Sequence, residues 1–263
     1  MRAFRYFPVA MLALVLCMPV AAQGVERTAQ GVRMDVQGGK FKCEVMFYSP
    51  SIVRVVKWPQ AATPSEKSLA VVMTPVKTKF KVAETGDAVT LKSGEVSVTL
   101  RKADGLATFA DAAGRSLLRE LGEPVFTPIE SGADKGYCRV SQAFRLDKAE
   151  AIYGLGQLQT GKMNQRDQQK YLIQSNLEDS SPFFQSVKGY GLYLDNYSPV
   201  TFTDNADGTR FDFEVGTCVD YYFMYGGTAD GVVARVRELT GQVPMFPLWT
   251  YGFWQSKERY KSQ

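Results

Sequence analysis

Apolar and polar residues alternate with a period of two along most of the chain between about residues 31 and 225. Such alternation predicts strands that bury one face and expose the other. Two examples are the run 41–47 and the pair of runs 89–91 and 96–100, which flank a glycine-containing turn. Many short strands with regular turn signals are typical of an antiparallel sandwich. The pattern therefore predicts an all-β fold.

One amphipathic helix interrupts the strands, and it comes late in the chain. Thr228 is a typical N-cap, Asp230 suits the positive end of the helix dipole, and Gly241 is a typical C-terminal stop. The apolar residues that share one helical face are Val232, Val233, Val236 and Leu239. The spacing predicts a single helix between the cap and the glycine.

The residues after this helix change in character. Residues 243–249 form a proline-bounded connector, and 251–255 are aromatic and apolar like a buried strand. Because a lone strand cannot bury itself, this tail predicts the entrance of a second domain, cut off in the polar run that ends at Gln263. Alternatively, the tail pairs with an edge of the sandwich. The expected organisation is a sandwich domain over 23–242, followed by a connector and the start of a truncated domain over 243–263.

The N-terminus has the order of a secretory signal peptide. Arg2 and Arg5 precede an apolar run over 8–20, and small residues follow up to Ala22. The alternatives are a membrane anchor, for which the run is short, and a lipoprotein signal at Cys17. We expect residues 1–22 to be removed and the mature chain to be secreted or periplasmic, without membrane insertion.

Composition narrows the chemistry. The chain has 263 residues, a net charge of +4 and no histidine, which excludes Ser-His-Asp and Cys-His mechanisms and imidazole-bound metals within it. No basic stripe accompanies the charge, so no nucleic-acid partner is expected. No motif indicates a cofactor or a metal site. Cys43, Cys138 and Cys218 remain after processing, and buried free thiols are expected at the first and third, although a disulfide stays open.

A polar stretch over 157–188 leads into the aromatic pair Phe183-Phe184. Amides and carboxylates suit sugar hydroxyls and aromatic rings suit sugar faces, so this stretch is a candidate carbohydrate-contacting loop. The alternative is a solvated connection between strands. Glu178 and Asp179 are adjacent acids, which point to opposite faces of an extended chain and make a poor catalytic pair.

Four segments, taken in order, resemble the N-terminal part of glycoside hydrolase family 31, the family of α-glucosidases and α-xylosidases. They are 153–157 (Tyr-Gly-Leu-Gly-Gln), 182–184 with 188–196, 220–241, and 247–262. The resemblance covers roughly residues 150–263, and its last segment is most similar to the bacterial α-xylosidase-like branch. Residues 23–149 fit more loosely.

The resemblance implies a galactose mutarotase-like sandwich in front of a (β/α)₈ barrel, with 251–255 as the first barrel strand. It implies retaining hydrolysis of an α-xyloside or α-glucoside by two aspartates from later barrel strands. No residue of this chain matches those aspartates, so no catalytic residue is assigned and the chain alone is expected to be inactive. The expected partners are an oligosaccharide or α-glycoside substrate and the missing barrel, packed on the sandwich.

The resemblance also implies four substrate-binding candidates. Asn176 lies in the sandwich loop that reaches the sugar pocket in the family. Trp254, Lys257 and Glu258 lie at the end of the first barrel strand, where such barrels place their sites. The alternatives are surface charge for Lys257 and Glu258 and core packing for Trp254. The rival interpretation of the whole chain is a non-catalytic carbohydrate-binding or structural sandwich.

Overall fold

The computed structural model describes residues 24–36, 39–64, 67–255, 257, 259 and 261–262. The predicted signal peptide over 1–22 lies outside the described residues, and so does Glu258. Within the described ranges the chain forms eighteen strands and one α-helix. The all-β prediction is confirmed.

The strands and the helix follow one another along the chain in this order. The strands are β1 (Val25–Arg27), β2 (Gly31–Val36), β3 (Phe41–Ser49), β4 (Ile52–Pro59), β5 (Lys81–Glu84), β6 (Ala88–Lys92), β7 (Val96–Arg101), β8 (Ala107–Asp111), β9 (Ser116–Glu120), β10 (Val125–Pro128), β11 (Cys138–Arg145), β12 (Ile152–Gln157), β13 (Gln169–Leu172), β14 (Asp179–Ser186), β15 (Tyr190–Leu194), β16 (Val200–Asn205), β17 (Gly208–Gly216) and β18 (Val219–Tyr225). The helix is α1 (Ala229–Thr240), and a 3₁₀ turn follows at Leu248–Tyr251.

The strands form two antiparallel sheets. Sheet A has the order β1-β2-β3-β4-β18-β15-β14-β12, and sheet B has the order β13-β16-β17-β11-β9-β8-β7-β6-β5, with β10 paired to β11. The predicted hairpin is present, with Leu91 of β6 opposite Val98 of β7. In sheet A, β4 pairs with β18, so that Val55 lies opposite Tyr221. This long-range pairing joins the first four strands to the rest of the sheet.

The hydrophobic core lies between the two sheets and uses every second residue of many strands. On β3, Cys43, Val45 and Phe47 are buried, while the residues between them are half-buried. On β7, Val98 and Leu100 are buried in the same alternating way. Burying one such side chain stabilises the fold by about 1.5–3 kcal/mol, so the period-two pattern is the main source of stability.

A buried ion pair crosses this core. Glu120 of sheet B accepts a hydrogen bond of 2.5 Å from the ammonium group of Lys57 in sheet A, and both side chains are fully buried. The same carboxylate accepts bonds from the Tyr221 hydroxyl at 2.9 Å and from the Ala107 N–H at 2.5 Å. Because a buried charge is tolerated only with its partners in place, this carboxylate fixes the two sheets relative to each other.

Helix α1 covers part of the outer face of sheet A. It begins as predicted, because the Thr228 hydroxyl accepts a hydrogen bond of 3.1 Å from the Gly231 N–H. Leu239 of the helix forms a buried cluster with Tyr48, Ile52, Tyr222 and Met224 of sheet A. One residue of the predicted apolar face is placed differently, since Val233 is 48% exposed whereas Val232 is buried. Neighbouring helical residues point about 100° apart, so Val233 turns to solvent.

The stretch 157–188 contains more regular structure than its polar sequence predicted. It includes β13, the last residue of β12 and all of β14. The start of β14 is exposed or half-buried over Asp179–Ser181, so its sequence lacks the apolar alternation that identifies strands. Pairing with β12, and not burial, holds this part in the sheet.

The predicted strand at 251–255 is not formed. Leu248–Tyr251 form a 3₁₀ turn, and 252–255 have no regular secondary structure. A strand needs a neighbour for its backbone N–H and C=O groups, and no strand of the described residues pairs with this segment. The assignment of the tail to a second domain stays a prediction.

The cysteines at 43, 138 and 218 form no disulfide with one another. The expectation of a buried thiol is confirmed for Cys43, whereas Cys218 is only half-buried. Burial raises the pKa of Cys43 to about 12, so this side chain stays uncharged in the core.

Replacing Glu120 by alanine should lower the free energy of unfolding by about 3–5 kcal/mol, because Lys57 is left as an unpaired buried charge. The double variant Lys57→Met with Glu120→Leu removes both charges, and its loss should be smaller, at most about 2 kcal/mol. Urea unfolding of the wild type and both variants measures the difference. Equal losses in the single and double variants would show that the ion pair does not carry this cost.

Candidate functional site

The polar stretch singled out by the sequence forms a loop that crosses between the two sheets. β13 is an edge strand of sheet B and β14 belongs to sheet A, so residues 173–178 connect one sheet to the other. Asn176 is exposed in this loop. At its base, the Gln174 amide nitrogen donates to the Ser180 carbonyl at 2.9 Å, and the Ser180 N–H donates to the Gln174 amide oxygen at 3.0 Å.

A bulge interrupts the sheet beside the loop. Gly154 pairs with Phe184 and Gly156 pairs with Ser180, so three residues of β14 face Leu155 alone. Leu155 has a φ of 69° and a fully buried side chain. A left-handed conformation is rare for leucine, and its neighbours must hold it there.

Glycine is required on the β12 side of this bulge. A Cβ atom at Gly156 would lie 1.9 Å from the Asp179 carbonyl oxygen, and its φ is +100°. On the other side, the bulged residues are Ser181-Pro182-Phe183. Proline has no N–H to donate, so a bulge tolerates it where a regular ladder would not. The Gly-Leu-Gly sequence of β12 therefore permits the bulge, in which Ser181 and Pro182 of β14 leave the regular pairing with β12.

These two bulged residues line a groove of about 470 Å³ at the base of the loop. The groove also contains Ile173 and the aromatic rings of Tyr193 and Tyr197. Ala70, from the segment 67–76, also lines the groove. This segment packs on sheet A through Val71 and Met73 and is held by hydrogen bonds from the Val72 and Met73 N–H groups to the Leu239 carbonyl.

Several polar groups around the groove are hydrogen-bonded within the chain. The Tyr197 hydroxyl accepts a bond of 2.5 Å from the Leu69 N–H and donates one of 2.7 Å to Asp195. Burial and the Asp195 charge raise the pKa of Tyr197, which stays neutral. The Asn196 amide donates to the Val215 carbonyl at 3.0 Å. The groove therefore presents mainly ring and aliphatic surface.

A second polar cluster lies on the outer face of sheet A, under the segment 67–76. Arg54 donates two hydrogen bonds to Asp220, at 2.9 and 2.5 Å, and a third to the Tyr48 hydroxyl at 3.3 Å. Burial raises the pKa of Asp220 to about 6, although Arg54 opposes this shift. Asp195 and Asp220 are near each other, but each carboxylate has its own partner. This arrangement anchors strands and does not provide an acid and a nucleophile facing an open cleft.

The structure places the four predicted binding residues in different surroundings. Asn176 is exposed beside the groove. Trp254 is 64% exposed, donates its indole N–H to the Thr250 carbonyl at 2.8 Å and packs on Trp249 at 5.7 Å between ring centroids. Lys257 is exposed, and Glu258 lies outside the described residues. The groove lining includes neither Trp254 nor Lys257, so the sandwich loop and the tail are separate features here.

The sequence did not predict the groove. It also did not predict the two hydrogen bonds between the Gln174 amide and the Ser180 backbone, which we call the Gln174 closure. Ser180 lies six residues after Gln174, and nothing in that spacing signals a bond between them. The Gly-Leu-Gly run was the available signal for a bulge, because isolated glycines in a strand mark close backbone approach.

Over the described ranges of the chain, no group of three or more Cys, Asp or Glu side chains is placed to hold a metal ion. No helix among the described residues is both long and apolar enough to cross a membrane.

Comparison with known proteins identifies the family. Residues 42–203 match the glycosyl hydrolase 31 N-terminal galactose mutarotase-like domain. The chain therefore belongs to glycoside hydrolase family 31, as the four sequence segments indicated, and the two-sheet architecture agrees with a mutarotase-like sandwich.

Named relatives are glycosidases. The chain is 33% identical to an α-xylosidase of Saccharolobus solfataricus over 86% of its own length and 32% of that protein. It is 28% identical to α-glucosidase 2 of Bacillus thermoamyloliquefaciens, over 84% of this chain and 29% of that protein. It thus spans about a third of the length of these relatives. Among solved structures, the family 31 α-xylosidase of Xanthomonas citri superposes with a TM-score of 0.79 at 23% identity, over 90% of this chain and 42% of that one.

Replacing Gly156 by alanine should destabilise the chain strongly, by about 3 kcal/mol or more, because the new Cβ would collide with the backbone of β14 as well as strain the left-handed φ. Gly161→Ala is the matched control, since Gly161 has a φ of +68° with nothing within 4 Å of its Cβ position. The control should lose only about 1 kcal/mol. Urea unfolding compares the two, and equal losses would contradict a close approach at Gly156.

Proposed function

We propose that this chain is the N-terminal, non-catalytic sandwich of a retaining α-glycosidase that acts on α-xylosides or α-glucosides. The observation that carries the proposal is the similarity to an α-xylosidase over 86% of this chain but only 32% of that enzyme. The catalytic (β/α)₈ barrel would begin after the connector at 243–249, with the segment 251–255 becoming its first strand once neighbouring strands are present.

In a retaining mechanism, one carboxylate attacks the anomeric carbon and a second protonates the leaving oxygen, then activates water against the glycosyl intermediate. Both groups would come from the barrel. The engaged state of Asp195 and Asp220 supports this division of labour, because each is already paired with a neighbouring side chain.

The contribution of this chain would be to shape the sugar pocket. Asn176 carries an amide that both donates and accepts hydrogen bonds, which matches the hydroxyl groups of a sugar. Its exposure in the loop between the two sheets supports a role toward a neighbouring domain. Trp254, Lys257 and Glu258 would join the same pocket from the end of the first barrel strand.

The barrel would also cover apolar surface. Trp249, Phe253 and Trp254 are 67%, 92% and 64% exposed. Contiguous apolar surface of this kind marks a protein contact. Packing of the barrel on the sandwich would bury these rings together with part of the groove wall.

Export is part of the proposal. Residues 1–22 would act as a signal peptide and be removed after Ala22, so that the mature protein is secreted or periplasmic. The rival candidate is a free-standing carbohydrate-binding sandwich, which differs in having no barrel at all.

The purified 263-residue chain should not release nitrophenol from 4-nitrophenyl α-xyloside or α-glucoside, because both reacting carboxylates are missing. The α-xylosidase of Saccharolobus solfataricus serves as the positive control in the same assay. Measurable turnover by this chain alone, retained through repurification, would contradict the proposed division. Saturable heat with xylo- or gluco-oligosaccharides would favour the binding module.

The native product in its source organism should begin at Gln23 and have an intact mass well above the 29.2 kDa of this chain. N-terminal sequencing and intact-mass spectrometry of the exported fraction measure both quantities. A product with its initial residues retained would contradict export by cleavage. A mass at or below 29.2 kDa would contradict the proposal that the native protein contains a barrel beyond this chain.

A further inference from the structure

The backbone of β14 lacks a neighbouring strand at one point. β15 pairs with β14 only over Phe183–Ser186, and β12 pairs with it from the other side. Ser180 lies before the β15 pairing begins, so no strand of the described chain meets its N–H and C=O on that side. Both groups are satisfied instead by the single side chain of Gln174, at 3.0 and 2.9 Å.

The Gln174 amide thus reproduces a pair of ladder hydrogen bonds. One planar group donates to a backbone carbonyl and accepts from the N–H of the same residue, as an adjacent strand would. Two further bonds support this closure. The Ser180 hydroxyl donates to the Ile173 carbonyl at 3.1 Å, and the Ser175 N–H donates to the Glu178 carbonyl at 3.2 Å.

We infer that Gln174 is a positioning residue. It holds the loop 175–179 in one conformation and thereby fixes the position of the Asn176 side chain. The part of this inference that concerns sugar rests on the proposed function, in which Asn176 contacts the sugar. The role of Gln174 in ordering the loop does not depend on the proposed function.

Beyond these bonds, the loop is held by a hydrogen bond of 3.4 Å from the Leu177 N–H to the Ser175 hydroxyl, and none of residues 175–179 is buried. Asn176 is exposed, and Leu177, the large apolar side chain of the loop, is 63% exposed. A loop without buried side chains is ordered only by its hydrogen bonds, and the bonds at its base decide how many conformations it samples. A contacting amide must be preorganised to favour a ligand, so loss of this closure would be felt at Asn176.

Three substitutions separate the roles of the amide. Gln174→Ala removes both bonds. Gln174→Glu keeps an acceptor for the Ser180 N–H, but at neutral pH its carboxylate faces the Ser180 carbonyl and cannot donate. Gln60→Ala is the matched control, because the Gln60 amide makes an exposed hydrogen bond of 3.0 Å to Asp35, away from the loop.

Hydrogen exchange of the whole chain, followed by NMR at the hydrogen-bonded amides of Ser175, Leu177 and Ser180, tests the closure. In Gln174→Ala these amides should exchange about tenfold faster than in the wild type, since two net hydrogen bonds are lost. The melting temperature should shift by no more than a few degrees. Gln60→Ala should leave these rates unchanged. Unchanged exchange in Gln174→Ala would overturn the inference.

The glutamate variant gives a second readout that a general loss of packing would not produce. Its loop amides should exchange fast at pH 7 and regain protection at about pH 4, relative to the wild type at each pH. Below its pKa near 4.3 the carboxylic acid has an O–H that can donate to the Ser180 carbonyl. If these amides exchange equally fast relative to the wild type at both pH values, the Gln174 side chain does not act by donating and accepting a hydrogen bond at Ser180.

A sugar titration separates this inference from the proposed function. Methyl α-xyloside at millimolar concentration should shift the side-chain amide signals of Asn176 in the wild type, with a smaller shift in Gln174→Ala. If the wild-type signals do not move while exchange still rises in Gln174→Ala, the contact to sugar fails and the closure stands. If the sugar shifts Asn176 equally in both proteins, Gln174 does not aim it.

Discussion

The carboxylate of Glu120 is the constraint on which the position of the two sheets depends. It is fully buried between them and needs the Lys57 ammonium and the Tyr221 hydroxyl from sheet A, along with the Ala107 N–H from sheet B. Sliding one sheet against the other would separate these groups in a medium that cannot solvate them. Once the sheets are fixed, the edge strand β13 meets the β12–β14 edge, and the loop and groove form at that junction.

Much of the fold follows from the sequence because burial imposes a period of two. The β6–β7 hairpin and the cap at Thr228 depend on residues close together in the chain, and both were predictable. β13 and the start of β14 were not, because their side chains other than the buried Leu172 are polar or exposed and their order comes from pairing with other strands. The ion pair between Lys57 and Glu120 is equally hidden, since a lysine in a sequence normally indicates a surface.

The candidate site shows the same division. The polar composition of 157–188 and the family resemblance directed attention to Asn176, and the structure places it in an exposed cross-sheet loop. What holds that loop, the Gln174–Ser180 closure and the bulge at Leu155, depends on backbone geometry that composition does not reveal. The segment 251–255, which contains Trp254, was predicted as a strand and is not one here, because strand formation requires a neighbour that the described residues do not supply.

The pairing of β4 with β18 has a consequence for how the molecule is made. Residues 52–57 must wait for residues 219–224 before they gain their second neighbour. On a ribosome, β1–β4 emerge early and leave an apolar edge open while most of the chain is still being synthesised. Pairings this distant in sequence also close slowly. The first four strands are therefore the part of this protein most exposed to wrong partners during its synthesis, and the part that a nascent-chain chaperone would most need to shield.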